Sequence, residues 1–215
     1  MPLDVNSMFY GLELTEEQRI YADSIHDNRM TIANAKAGTG KTTIAVGCAK
    51  ILKRDLYYVF SPVEEGKMGF RPGKQYEKEL DYTQPLKDAL LEINEDPARV
   101  IDSPENIENI KNGNVWVYPR SHIFMRGTNL KDAFIIIDEA QNWTKAELKK
   151  MLTRIHDSNI VVVIGHDGQI DLKVPSMSGF TYLIEHFATR PWCKVCELTK
   201  NFRGELSKWA DEMEV

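Results

Sequence analysis

Met30-Thr-Ile-Ala-Asn-Ala-Lys-Ala-Gly-Thr-Gly-Lys-Thr42 joins an apolar run to a glycine-rich turn, and the helical Ile44-Ala-Val-Gly-Cys-Ala-Lys-Ile-Leu52 follows almost at once. A strand, a tight turn and a helix in that order present successive backbone N–H groups at a helix N-terminus, which makes a cradle for an anion. Ala35 to Thr42 has the spacing of a Walker A loop with alanine at its first glycine position. Gly38 and Gly40 supply backbone conformations and close approaches that a side chain would block. The loop Ala37, Gly38, Thr39, Gly40, Lys41, Thr42 and Thr43 is therefore expected to hold the phosphates of a nucleotide. Lys41 would reach the β and γ phosphates, and Thr42 would offer its hydroxyl to Mg²⁺.

The same arrangement needs an acidic strand end as its second element, and Phe134-Ile-Ile-Ile-Asp138-Glu139-Ala-Gln141 provides one. Open α/β sheets bind ligands at the C-terminal ends of their strands. Asp138 fits a Mg²⁺-holding role, and Glu139 fits polarising a water for in-line attack on a phosphoryl group.

Working outward, β-branched and aromatic runs recur at Leu56–Phe60, Val115–Tyr118, Ala133–Ile137, Ile160–Ile164 and Lys194–Leu198, with helical segments between them. Continuous rather than alternating apolar runs predict strands buried on both faces, as in a mostly parallel sheet with helices on either side. Thr15-Glu-Glu-Gln18 and Thr144-Lys-Ala-Glu147 read as capping boxes, and Ser103-Pro104 as an N-cap followed by a proline at the first helical position. The fold class expected is α/β, one domain over residues 1–215.

Composition narrows the setting. The apolar fraction of 42% is ordinary for a chain with a buried core, and no stretch approaches the roughly 20 apolar residues that span a bilayer. Three cysteines, Cys48, Cys193 and Cys196, do not make a disulfide framework, so a soluble, cytoplasmic protein without membrane partners is expected. Cys193-Lys-Val-Cys196 has the spacing of half a zinc site, but the strand pattern around it favours two strand residues. The net charge of −5 places any nucleic-acid binding on a local patch. Between Gly66 and Lys78, basic residues alternate with Phe70 and Tyr76, a pattern suited to gripping a single strand of RNA or DNA.

From Leu14 to Arg203 the sequence resembles the PhoH-like (phosphate-starvation-inducible) ATPases, whose RecA-like P-loop NTPase domain is related to the first motor domain of superfamily 1 helicases. The resemblance rests on Leu14-Thr-Glu-Glu-Gln18, Gly38-Thr-Gly-Lys-Thr42, Gly69-Phe-Arg-Pro-Gly73, Pro85-Leu86, Asp88-Ala89-Leu90, Met125-Arg-Gly127, Asp138-Glu-Ala-Gln-Asn142, Leu152-Thr-Arg154, Gln169-Ile-Asp-Leu172 and Asn201-Phe-Arg203. It implies an ATP- and Mg²⁺-dependent hydrolase of helicase-like type, acting on single-stranded RNA or DNA, with no second motor domain and no appended nuclease or RNA-binding domain. It also implies that Gln18 reads the adenine edge, that Gln169 senses the γ-phosphate, and that identical chains form a homo-oligomer, a hexameric ring. In that ring Arg203 would act in trans as an arginine finger, with Arg154 and Arg126 as rivals for the role. Two departures stand out. Gly165-His166-Asp167-Gly168 replaces the usual Gly-Asp before the glutamine, so Asp167 is given no catalytic role, and Ser61-Pro62 lacks the expected arginine. A thymidine-kinase-like phosphotransferase and a nucleotide-gated oligomeric switch are the alternatives.

Overall fold

The computed structural model describes residues 13–61, 81–123 and 130–211. Among these residues, six strands form one all-parallel sheet: β1 (Met30–Ala35), β2 (Leu56–Phe60), β3 (Val117–Ser121), β4 (Phe134–Ile137), β5 (Ile160–Gly165) and β6 (Cys193–Leu198), in the order β3-β2-β4-β5-β1-β6. Among the described residues the α-helices are α1 (Glu16–Asp27), α2 (Lys41–Ile51), α3 (Gln84–Glu92), α4 (Pro97–Val100), α5 (Ile107–Lys111), α6 (Lys145–Leu152), α7 (Phe180–Phe187) and α8 (Glu205–Asp211). This is an α/β fold with a parallel sheet, as the apolar runs predict, and of the RecA-like kind that the resemblance implies.

Successive strand residues point to opposite faces, so each central strand feeds two cores at once. Phe134, Ile136, Val162 and Ile164 pack with α1, α2 and α3 on one face. Ile135, Ile137, Val161 and Val163 pack on the other face with Trp143, Leu148 of α6 and Phe180 of α7. Each fully buried aliphatic side chain contributes about 1.5–3 kcal/mol of transfer free energy, which explains why these strands carry no polar alternation. The exposed edge of β6 bears Lys194 and Glu197, charges that discourage pairing with another strand. Cys193 and Cys196 fall in different cores, on opposite faces of β6, and so read as strand residues rather than as a metal pair. Burial pushes the Cys48 thiol up to about 12 and the Cys193 thiol up to about 11.

Both capping boxes form. Thr15 accepts from the Gln18 amide while Gln18 Oε1 accepts from the Thr15 amide, and Thr144 and Glu147 repeat the pattern at α6. The expected helix start at Ser103-Pro104 does not occur. Pro104 lies in a turn, and α5 begins at Ile107, because the Asn106 side chain donates to the carbonyls of Arg99 and Ile101 and holds the chain out of helical geometry until then. The strand expected at Val115 likewise begins at Val117. The Trp116 amide and carbonyl bond instead to Val100 and Leu56, and the strand then runs through Pro119 at the sheet edge, where a missing N–H is tolerated.

The α6–α7 face depends on close backbone approach at Gly179. A Cβ there would lie 2.8 Å from Lys145 Cα and 2.8 Å from its backbone nitrogen, atoms that cannot rotate away. Gly179→Ala is expected to destabilise the fold by about 1–3 kcal/mol, read as a lower denaturation midpoint in urea. Among the described residues, no helix is long and apolar enough to cross a membrane.

Candidate nucleotide-binding site

Because the sheet is parallel, the segments following β1, β4, β5 and β6 all emerge at one edge. A cleft of about 730 Å³ opens there. Its lining includes Gly38 to Ile44 from the loop and first turn of α2, Asp138 and Glu139 after β4, Gln18 of α1, Pro85, Asp88, Ala89 and Glu92 along α3, and Phe202 with Arg203 after β6.

The loop after β1 is shaped by its two glycines. Gly38 has φ 71° and Gly40, the residue capping α2, has φ 77°, left-handed values that other residues adopt at a cost. Lys41 Nζ donates to the Lys36 carbonyl at 3.2 Å, curling back over the loop, and Thr39 Oγ1 donates to the same carbonyl at 3.1 Å. Thr43 Oγ1 donates to Glu92 Oε2 at 2.5 Å, tying the loop helix to α3. Gln18, buried at 7% exposure, does two jobs at once: its Oε1 closes the capping box and its Nε2 donates to the Thr39 carbonyl at 2.9 Å. The glutamine thus braces the loop from the α1 side while facing the cleft.

The acidic strand end is held from several directions. Asp138 is 2% exposed; its Oδ1 accepts from the Glu139 amide at 2.9 Å and its Oδ2 accepts from the Tyr58 hydroxyl. Burial pushes the Asp138 carboxyl up from the ordinary carboxylate range, with the Tyr58 hydrogen bond and the Lys41 charge pulling the other way. Glu139 adopts φ 49°, an uncommon conformation for a residue with a side chain and one that concentrates at functional turns. Loss of solvation and then the Asp138 charge raise its carboxyl as well.

Gln141 and Asn142 connect this turn to the segment after β5. Gln141 Nε2 donates to Glu139 Oε2 at 2.5 Å, while its Oε1 accepts from the His166 amide at 3.1 Å. Asn142 pairs twice with Asp171, through Nδ2 to Oδ2 at 3.2 Å and through Oδ1 from the Asp171 amide at 2.8 Å. Gln169 stands in the turn these bonds position, its amide donating to the His166 carbonyl at 3.2 Å. Neither Gln169 nor Ala37 is among the residues lining the cleft. Asp167 pairs with Asn34 of β1.

The segment after β6 folds back over the loop of its own chain. Thr199 donates from its amide and hydroxyl to the two Glu17 oxygens at 2.8 and 2.7 Å, and these bonds lower the Glu17 carboxyl below its usual range. The Phe202 amide then donates to the Gly38 carbonyl at 2.8 Å. A Cβ on Gly38 would lie 2.7 Å from Asn201 Oδ1 and 2.8 Å from Arg203 Cγ, so Asn201 and Arg203 press directly on the loop. Arg203 therefore lines the cleft of its own chain, whereas the sequence resemblance assigns it to a neighbour's. Arg154, after α6, is not in the lining, and Arg126 lies outside the described residues, as do the Gly66–Lys78 stretch and Met125-Arg-Gly127.

Sequence reading gave no role to three residues of this lining, Asp88, Glu92 and Phe202, nor to Tyr58, which stands behind Asp138. Tyr58 hides in an apolar strand run, Asp88 and Glu92 lie one helical turn apart on α3, and Phe202 stands with 52% of its surface exposed beside the arginine. Signals existed for Asp88, in the matching Asp88-Ala89-Leu90, and for Phe202, in the matching Asn201-Phe-Arg203.

The sequence profile of the PhoH-like protein family matches residues 12–213. The chain belongs to the PhoH-like family. A PhoH-like protein of Mycobacterium tuberculosis (strain ATCC 25618 / H37Rv) is 35% identical over 193 residues, covering 86% of this chain and 52% of that protein. Protein PhoH2 of Bacillus subtilis (strain 168) is 33% identical over 187 residues, covering 83% of this chain and 41% of that protein. The chain thus spans about half the length of these PhoH-like relatives. Among solved structures, a hypothetical ATP-dependent RNA helicase from Sulfolobus tokodaii superposes with a TM-score of 0.50 at 12% identity, covering 91% of this chain and 57% of that one. At that identity the likeness concerns the fold. PhoH-like membership and the RecA-like sheet together support a P-loop NTPase domain.

Proposed function

We propose that the cleft binds ATP and hydrolyses its γ-phosphoryl group with Mg²⁺. One observation carries this reading: Gly38–Thr43, Asp138, Glu139 and Arg203 of a single chain line one cavity of about 730 Å³. Backbone N–H groups of the loop, at the start of α2, suit the β-phosphate, and Lys41 exchanges its bond to the Lys36 carbonyl for phosphate oxygens.

The donor set fits a hard divalent cation, since a hydroxyl (Thr42) and a carboxylate (Asp138) share the cleft and the carboxylate is already aligned by two donors. Thr42 and Asp138 would hold Mg²⁺, which supplies charge neutralisation at the β and γ oxygens. Glu139, its carboxyl raised by loss of solvation and by the Asp138 charge, orients the attacking water and takes its proton. Arg203, from the same chain, faces the charge that develops on the transferred group. Phe202 offers an exposed ring to the base, with Gln18 near the loop as its polar partner.

The reading extends to a helicase-like motor in a homo-oligomeric, hexameric ring that acts on single-stranded RNA or DNA. Its support is the interleaving of Lys67, Arg71, Lys74 and Lys78 with Phe70 and Tyr76. Such a ring does not need Arg203 at a neighbour's site. No observation favours the thymidine-kinase-like alternative, while a nucleotide-gated switch would bind ATP with little turnover.

Binding is tested with a fluorescent ATP analogue. The parent is expected to bind saturably and Lys41→Ala to bind about 10- to 100-fold more weakly, because a hydrogen bond to a charged group is worth about 1.5–3 kcal/mol. Equal affinities would remove the loop from the account.

A further inference from the structure

We propose that Tyr58 is a positioning residue for the divalent cation: its buried hydroxyl fixes the Asp138 carboxylate in the orientation that the cation requires. The inference rests on the Mg²⁺-nucleotide reading of the cleft. Tyr58 is the third residue of β2, the strand beside β4, and is 1% exposed. A fully buried aromatic alcohol calls for a polar partner. The partner is Asp138 Oδ2.

The rest of Asp138 is held independently. Its amide donates to the Val59 carbonyl at 3.0 Å, its own carbonyl accepts from Trp143 Nε1 at 3.1 Å, and Oδ1 accepts from the Glu139 amide at 2.9 Å. Those bonds fix the main chain and one oxygen. Rotation about the last side-chain bond is opposed by Tyr58 from the β2 side. With one donor on each oxygen, each keeps a lone pair for a cation or its water. A partner that orients a metal-binding carboxylate typically changes metal affinity by about 10- to 100-fold when removed.

A role confined to filling the core would predict a different outcome. Tyr58→Phe keeps the ring and its tilted contact with Phe60 at 6.5 Å between centroids, and removes the hydroxyl alone. Trp143→Phe serves as the control, because it removes a bond to the Asp138 carbonyl while leaving the carboxylate untouched. The measurements are affinity for the fluorescent ATP analogue in EDTA and along a Mg²⁺ titration, and Mn²⁺ binding in the presence of ADP, followed by loss of the free-ion EPR signal.

For Tyr58→Phe, an EDTA affinity equal to the parent's is expected, with the half-saturating Mg²⁺ and Mn²⁺ concentrations raised about 10-fold or more. Trp143→Phe should keep the parental cation dependence. Parental cation dependence in Tyr58→Phe would overturn the positioning role. A parent whose nucleotide binding ignores Mg²⁺ would instead overturn the reading of the cleft on which the inference stands.

Discussion

Glu139→Gln is expected to bind MgATP and to turn it over about 10²- to 10⁴-fold more slowly than the parent, the range that a positioned general base contributes. Glutamine keeps the shape of the side chain and an oxygen for the Gln141 amide, now 2.5 Å from Glu139 Oε2, but it cannot accept the proton of the attacking water. Binding should survive because the loop, Lys41 and Asp138 are untouched. Phosphate release measures the first quantity and fluorescent-nucleotide titration the second. Hydrolysis at the parental rate would remove Glu139 from the chemistry.

The same substitution carries a stability signature of known sign. Loss of solvation and the Asp138 charge raise the folded-state Glu139 carboxyl above its ordinary value of 4.5. A raised acid contributes its stabilisation in full below the unfolded value and loses it as pH rises through the folded one, so at neutral pH the ionised side chain costs stability. The ligand-free Glu139→Gln protein should therefore melt above the parent at neutral pH, with the gap closing on acidification. An active site that sacrifices stability for reactivity behaves this way.

Arg203→Ala is expected to lower turnover by about 10³- to 10⁵-fold, the effect of removing an arginine finger. Geometry adds a second expectation. Arg203 and Phe202 fold onto Gly38 of the same chain, and in the proposed reading the arginine serves its own chain's nucleotide. Mixing Arg203→Ala chains with Lys41→Ala chains should then restore nothing, since neither chain holds a whole site. Recovery of activity in the mixture would show the arginine crossing to a neighbour and would return it to the trans role that the sequence resemblance implies.

The strand-loop-helix around Gly38–Thr42 and the acidic end of β4 were legible because each is a local pattern with a local cause: a left-handed glycine, a helix N-terminus, a carboxylate closing an apolar run. Thr15–Gln18 was legible as a cap for the same reason. Its second bond, to the Thr39 carbonyl, joins residues 21 apart in sequence and had no local signature. Tyr58 and Asp138 are 80 residues apart and meet because β2 and β4 are neighbours in the sheet, an adjacency that the runs themselves do not encode. The arginine was found by its triplet, but the bonds that lay this segment against its own loop, Thr199 on Glu17 and Phe202 on Gly38, join distant residues and had no local signature. At Ser103-Pro104 a local rule failed because Asn106 satisfied two backbone carbonyls that a helix starting earlier would have left elsewhere.

The most direct test of the central claim is phosphate release from ATP by the purified protein, in Mg²⁺ and in EDTA, with Lys41→Ala alongside. Hydrolysis that requires Mg²⁺ and disappears with Lys41 is the expected result. Release that persists in EDTA or in Lys41→Ala, or a parent that binds ATP without hydrolysing it, would contradict an ATP hydrolase built on this cleft.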